Sequence, residues 1–403
     1  MSISRSRTVP RSAAEVFAAF LRLGCVSFGG PVAHLAYFRE TFVEKRHWIG
    51  ESGYADLVAL CQFLPGPTSS QVGMAIGLSR AGLTGGLAAW IGFTLPSATI
   101  MLTFALGVVA LGDIAGSGWL HGLKLAAVAV VAQAVWGMAR NLCPDRQRAS
   151  LAVVATLIVT AMPGGVGQIV AIVVSALVGL AIARSTTPSS RGGQLNQHIS
   201  PITARLAIGL FLSFLLGLPV VAWASDAPWL AHIDAFYRAG ALVFGGGHVV
   251  LPLLESSMVA PGWMNQDTFL AGYGAAQALP GPLFSIGAFL GASVGPPDNA
   301  VLGGLIGLVA VFLPSALLVV AIMPFWDRLR ERRRVRAALT GINAGVVGLL
   351  AAALYHPVWT SAVTSPIAFG VVLAGFTLIS AWRVNPVVVV GLCAVAGAAL
   401  PGL

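Results

Sequence analysis

The stretch "CQFLPGPTSS", Cys61 to Ser70, lies inside a long apolar run, where Pro-Gly-Pro is out of place. Pro65 and Pro67 each remove a backbone donor and obstruct the preceding helical turn. Gly66 adds the poorest helix propensity short of proline. The run around it is not exceptional in this chain. Of 403 residues, 57% are hydrophobic and only 9% are charged, with a mean hydropathy of +0.86. A soluble domain carries about 25% charged residues. Apolar runs long enough to span a bilayer recur from end to end, so the expected fold class is an all-α polytopic membrane protein. In lipid every backbone polar group needs a partner within the protein. A helix broken there must serve something.

Charge and cysteine content narrow the classes. The net charge is +9, but most of the 23 Lys and Arg sit in short loops between apolar runs. That distribution orients a membrane protein and argues against a nucleic-acid partner. With the N-terminus cytoplasmic, the alternating sides collect Arg80, Arg140, Arg146, Arg148 and the run "DRLRERRRVR" inside. Only Arg39, Lys45 and Arg46 fall in an outside loop. The arginine run suits anionic lipid headgroups. The start "MSISRSRTVPRSAAEVF" reads as a cytoplasmic tail rather than a cleaved signal. Cys25, Cys61, Cys143 and Cys393 show neither CxxC nor His-paired spacing, so they read as reduced apolar fillers, with no metal or cofactor implied.

The chain repeats itself. "FLRLGCVSFGG" (Phe20–Gly30) returns as "FYRAGALVFGG" (Phe236–Gly246), and "QFLPGPTS" (Gln62–Ser69) as "QALPGPLF" (Gln277–Phe284). "GGLAAWIGFTLPS" (Gly85–Ser97) returns as "GGLIGLVAVFLPS" (Gly303–Ser315), and "GLKLAAVAV" (Gly122–Val130) more weakly as "GINAGVVGL" (Gly341–Leu349). Order and spacing hold throughout. The expected division is a first repeat over 1–184, a polar linker and connecting helix over 185–231, and a second repeat over 232–403. Thirteen apolar segments can be marked. About six per repeat and one connector start the second repeat on the opposite side of the membrane. The repeats are therefore expected to be inverted, an arrangement that supports alternating access in secondary transporters.

In such proteins broken helices form the substrate site near the bilayer midplane. A half-helix starting after a break offers free N–H groups and a partial positive charge, which attract anions. The candidate substrate-binding set is then Gly29, Gly30, Gln62, Pro65, Gly66, Pro67, Thr68 and Ser69 from the first repeat. From the second repeat come Gly245, Gly246, His248, Gln277, Pro280, Gly281, Pro282 and Ser285. Arg22 and Arg238 stand at equivalent positions two turns before their glycine pairs, and with Lys124 they suit a divalent oxyanion. The alternative for each arginine is local pairing, for example with Glu15 or Asp234. His34, Glu40, His248 and Glu255 are the candidates for proton coupling, with Asp56 behind them.

Together these motifs resemble the chromate ion transporter family in its long, two-domain form. The carriers are "FLRLGCVSFGGPVAHL", "WIGES", "QFLPGP", "FYRAGALVFGGGHVVLPLLE", "GWM" and "QALPGP". The resemblance implies efflux of chromate across a bacterial inner membrane, driven by the ion-motive force, with sulfate as a competitor or alternative substrate. It also allows a homodimer. Gly247 stands where the first repeat has Pro31, and Leu283 and Phe284 replace hydroxyls after the second Pro-Gly-Pro. An enzyme is not expected: no GxSG-like nucleophile motif and no HExxH occurs. Duplicated inverted halves favour a carrier over a channel.

Overall fold

The structure is a computed structural model and describes residues 12–111, 118–162, 164–182, 199–225, 227–244, 247–294, 299–326, 329 and 332–400. Gly245, Gly246 and most of the polar stretch between the repeats lie outside the described residues. All regular structure described is helical.

Apolar runs that carry a glycine or proline interruption are broken into shorter helices. α1 (Ala13–Val26) stops ahead of Gly29 and Gly30, which take φ of +96° and +75°. Glycine adopts such left-handed geometry at little cost. α2 (Gly30–Phe38) starts there, with Pro31 in its first turn, and runs on as a wider helical turn over Arg39–Lys45. α3 (Glu51–Phe63) ends at Pro65-Gly66-Pro67. α4 (Thr68–Leu111) folds back on itself, because Ala81 and Gly82 leave helical geometry. Its arms, 68–80 and 83–111, close on each other where Gly77 meets Gly85. α5 (Gly118–Leu142), α6 (Arg146–Ala161) and α7 (Gly165–Ile182) follow.

α8 (Pro201–Ala224) connects the repeats. Its apolar side chains face outward: Leu216 is 68% exposed and Trp223, at its end, 88%. Ala204, Ala207 and Phe211 are buried on its inner face, lipid suits the rest, and the terminal tryptophan suits the membrane interface. The second repeat then runs α9 (Pro228–Ala241), α10 (Val250–Met258), α11 (Gln266–Gln277), α12 (Ile286–Ser293), α13 (Ala300–Ile322), α14 (Arg333–Ala353), α15 (Pro366–Ser380) and α16 (Pro386–Ala399). α1–α3 match α9–α11, the two arms of α4 match α12 and α13, and α5–α7 match α14–α16. Five stretches among the described residues are long and apolar enough to cross a bilayer: Thr68–Val108, Gly118–Leu142, Pro201–Ala224, Ala300–Phe325 and Arg333–Ala362. Shorter apolar helices pack between them, and the whole is a multi-pass membrane protein.

The equivalent helices α5 and α14 run in opposite directions. Near the start of α5, Lys124 reaches Asp267 of α11, and the neighbouring Gln266 donates to the Pro357 carbonyl beyond the end of α14. Just past the other end of α5, Cys143 lies against the Ala344 carbonyl, at the middle of α14 and well before Pro357. Advancing along α5 is retreating along α14. The repeats are inverted.

Glycines lock the two repeats together, once on each side. Gly118 and Gly122 of α5 lie directly on Gly397 and Cys393 of α16. Gly341 of α14 lies on Ser175 and Gly179 of α7, which are the equivalent positions. Glycine lets backbones approach where lipid gives little hydrophobic drive for helix association. A Cβ on Gly122 or Gly341 would overlap a backbone carbonyl oxygen, which has nowhere to move. Gly122→Val and Gly341→Val are each expected to destabilise the fold by at least ~1–3 kcal/mol. Gly209→Val on α8, where nothing lies within 4 Å, should be tolerated. Thermal unfolding in detergent, followed by size-exclusion recovery, compares the three.

Candidate functional site

The two Pro-Gly-Pro turns exchange partners. The Gly66 amide donates to the carbonyl of Val243, two residues past the end of α9, at 2.6 Å. The Gly281 amide donates to the carbonyl of Ser27, just before the first repeat's Phe28-Gly29-Gly30 break, at 2.9 Å. Each turn also packs on the proline-serine pair inside the other repeat's long helix. A Cβ on Gly66 would overlap the Ser315 hydroxyl, and one on Gly281 would lie 3.0 Å from the Ser97 hydroxyl. Their φ values of +127° and +95° exclude larger residues independently.

One of these crossings borders a cavity of about 60 Å³. The first repeat contributes Gly29, Gly30 and Pro31 at the start of α2, and Gln133 of α5. The second contributes His248, Gln277, Gly281, Leu283 and Pro386. No Lys, Arg, Asp or Glu is among the described lining residues. What faces the space is a set of neutral donors. The amides of Gly29 and Gly30 make no hydrogen bond among the described residues, and α2 has no side-chain cap. The Gln277 Nε2 is buried and makes no hydrogen bond of good geometry, although its amide lies beside the Tyr273 hydroxyl. His248 Nδ1 lies 3.1 Å from the Tyr273 hydroxyl. When Tyr273 donates to it, Nε2 carries the proton. Starts of helical segments also meet here, at Gly30, Leu283 and Pro386, and bring their partial positive charge. Such a set can hold an anion of modest size.

Of the expected site residues, the structure brings Gly29, Gly30, His248, Gln277 and Gly281 together at this cavity. Pro280 and Pro282 flank Gly281 and are buried; Ser285 is buried and donates to the Pro282 carbonyl. Gly66, Pro67, Thr68 and Ser69 are buried at the other crossing, with Pro65 partly so, and Gln62 is exposed at the end of α3. Gly245 and Gly246 lie outside the described residues. The cations are not in the cavity lining. Arg22 is exposed. Arg238 pairs with Asp234 on its own helix. Lys124 is buried and pairs with Asp267 at 2.9 Å. Glu15, the other local partner considered, binds Arg80 at 3.1 Å.

The expected proton carriers are spread out. His34 is buried between the two crossings. Its Nε2 lies 3.1 Å from the Ser27 carbonyl, the same oxygen that receives the Gly281 amide. A carbonyl only accepts, so Nε2 carries the proton, and Nδ1 accepts from the Ser69 hydroxyl at 3.2 Å. Glu40 is exposed and paired with Lys45. Glu255 is partly buried on α10. Outside the spanning helices, Arg39 clamps Glu51 with two hydrogen bonds and holds its carboxyl below the ordinary range. Sequence reasoning missed Gln133, Ser97 and Ser315. The two serines were visible as the ends of a repeated motif; Gln133 has no repeat partner to draw the eye.

A sequence model described as "Chromate transporter" matches residues 14–180 and 230–398. The chain is 29% identical over 401 residues to a chromate transport protein of Pseudomonas aeruginosa, covering 96% of this chain and 92% of that one. It is 27% identical over 395 residues to a chromate transport protein of Cupriavidus metallidurans, covering 95% and 91%. A shorter relative, an uncharacterized transporter of Bacillus subtilis, is 30% identical over 152 residues, which are 36% of this chain and 81% of its own. No solved structure matches the chain.

The Lys124–Asp267 pair generates an asymmetric expectation. The Lys124 side chain is 8% exposed and that of Asp267 is 47% exposed. Asp267→Asn leaves an ammonium buried without a counter-charge, which is strongly destabilising. Lys124→Met leaves a carboxylate that water can serve. Asp267→Asn should therefore lower the melting temperature in detergent more than Lys124→Met does, and the double variant should recover much of the loss.

Proposed function

We propose that this chain, which belongs to the chromate transporter family, carries chromate across the membrane through the cavity between its inverted repeats. The observation that carries the reading is the convergence there of unpaired neutral donors from both repeats. Gly29 and Gly30 amides, Gln133, Gln277 and His248 can each present an N–H to an oxygen of a tetrahedral dianion. Hydrogen bonds to charged groups contribute about 1.5–3 kcal/mol each. Several such bonds are needed to offset the loss of the dianion's hydration. The donors distinguish oxygens, not the central atom, so sulfate and similar oxyanions belong to the same reading.

The inverted arrangement supports alternating access. Each Pro-Gly-Pro turn seats in the opposite repeat, so rocking one repeat against the other opens one crossing as it closes its counterpart. In the bacterial inner membrane, with the N-terminus cytoplasmic, the direction is export, and the ion-motive force supplies the drive. The coupling proton is carried at His34. Protonating Nδ1 removes the acceptor of Ser69, at the start of α4, while Nε2–H stays on the carbonyl that holds Gly281. Proton uptake thus alters a contact shared by both crossings. The exposed Arg332, Arg333 and Arg334 at the start of α14 bind anionic headgroups on the cytoplasmic side.

Purified protein in proteoliposomes tests the whole. Chromate flux should saturate, respond to a pH gradient and be inhibited by sulfate. Gln277→Ala should raise KM for chromate about tenfold, the loss of one hydrogen bond to a charged group. Arg22→Ala should leave KM unchanged, since Arg22 is exposed and outside the lining. His34→Gln should abolish the response to the pH gradient while chromate–chromate exchange persists. Gradient-driven flux equal to that of the parent protein would remove His34 from the coupling.

A further inference from the structure

We propose that Gln133 is the residue by which the cavity sorts one oxyanion from another. The proposal rests on the cavity being the anion's site. Among the described residues, Gln71, Gln168 and Gln266 each donate Nε2 to a proline residue's carbonyl: Pro65, Pro252 and Pro357. Those glutamines satisfy the backbone around breaks. Gln133 lies mid-helix on α5, lines the cavity, and makes no hydrogen bond among the described residues. Its amide is partly buried and committed to no protein group, so both ends are free to meet what enters the cavity.

Symmetry separates Gln133 from the rest of the lining. Gln277 and Gly281 have counterparts in Gln62 and Gly66, so they belong to the architecture that both repeats share. With Gly122 matched to Gly341, as their equivalent packing requires, Gln133 falls opposite Ala352. The fold does not need a glutamine at this register. α5 is also scaffold: it is held by α16 through Gly118 and Gly122. A donor on a fixed helix, facing donors on the broken segments, sets the width of the space that an anion must fill. Its amide also offers two N–H groups in one plane. A fully ionised tetrahedral oxyanion can accept both.

The test is transport in proteoliposomes with chromate, sulfate and molybdate offered singly and in competition. Gln133→Ala should raise KM for chromate about tenfold, keep the maximal rate within about twofold, and shift the molybdate-to-chromate ratio of kcat/KM toward the larger anion. Gln133→Glu keeps the shape but puts a negative charge against the substrate. It should transport poorly at pH 8 and recover as the pH falls and the carboxyl takes up a proton, while the parent protein sets the baseline profile. Gln133→Asn serves if Ala is poorly folded; it should also change the ratio, because the amide withdraws by one methylene. Unchanged KM and unchanged ratios in Gln133→Ala, with Gln133→Glu active at pH 8, overturn the proposal. If Gln277→Ala and His248→Ala are silent as well, the cavity itself is not the anion's site, and that separate failure falls on the functional reading. If those two raise KM while Gln133→Ala does not, only the role of Gln133 is lost.

Discussion

Two reciprocal hydrogen bonds hold this architecture in place: Gly66 to Val243, and Gly281 to Ser27. Their importance follows from the solvent. A helix broken in lipid exposes amides and carbonyls that water cannot serve, each at a cost of several kcal/mol. Here the free amide of one repeat's broken loop meets the free carbonyl of the other's. Neither repeat closes this account alone. Satisfying the backbone therefore forces the repeats into contact at the points where each is weakest, and leaves space beside those points. The cavity is a consequence of how the breaks are repaired.

The rest of the packing is arranged so that the exchange can occur twice. Gly24 of α1 nests against the carbonyls of Gly92 and Phe93 in α4, just ahead of Pro96. Gly240 of α9 nests likewise on Val311 of α13, just ahead of Pro314. A proline inside a helix frees the carbonyl one turn back, and the neighbouring glycine lets another backbone come close to that opening. Farther out, α5 on α16 and α14 on α7 repeat the exchange with whole helices. Relatives about as long as one repeat exist. Each repeat of this chain has one Pro-Gly-Pro turn and one notch, and each turn fills the notch of the other.

Much of this was legible in the residues. The paired motifs gave the duplication, and the inversion expected from them agrees with the opposed directions of α5 and α14, while only five stretches among the described residues are long enough to span. Glycine and proline marked the breaks, because their backbone restrictions are local properties that hold in any fold. What was not legible was pairing at a distance. The sequence puts Gly66 and Gly29 in one repeat and invites the reading that they share a site. In the structure Gly281, not Gly66, lines the space with Gly29. Partner exchange leaves no trace in either repeat taken singly. Arg22 and Arg238 mark the opposite difficulty. Their spacing puts them on a face with the glycines, but side chains of that length travel several ångströms, and Arg238 finds Asp234 one turn away. Gln133 escaped because a lone polar residue in an apolar helix has no pattern to betray it.

Among the described residues the cavity lining carries no full charge, which suits the proposed carrier better than a tight binder. A guanidinium beside a dianion at about 4 Å would contribute on the order of 8 kcal/mol at an effective dielectric near 20. An anion held so firmly by one fixed charge would be hard to release on either side. Neutral donors contribute in small increments, each of which can be broken in turn if the repeats move as proposed. Helix starts act in the same way, since their partial charge fades within a turn. If the repeats rock as proposed, the α2 start moves with the first repeat and Gln277 and Gly281 with the second, while Gln133 stays on α5, the helix that α16 holds. On that proposal the donor set divides between parts that move relative to one another. Affinity is then tied to the relative position of the repeats, which a fixed arginine beside the anion would not provide.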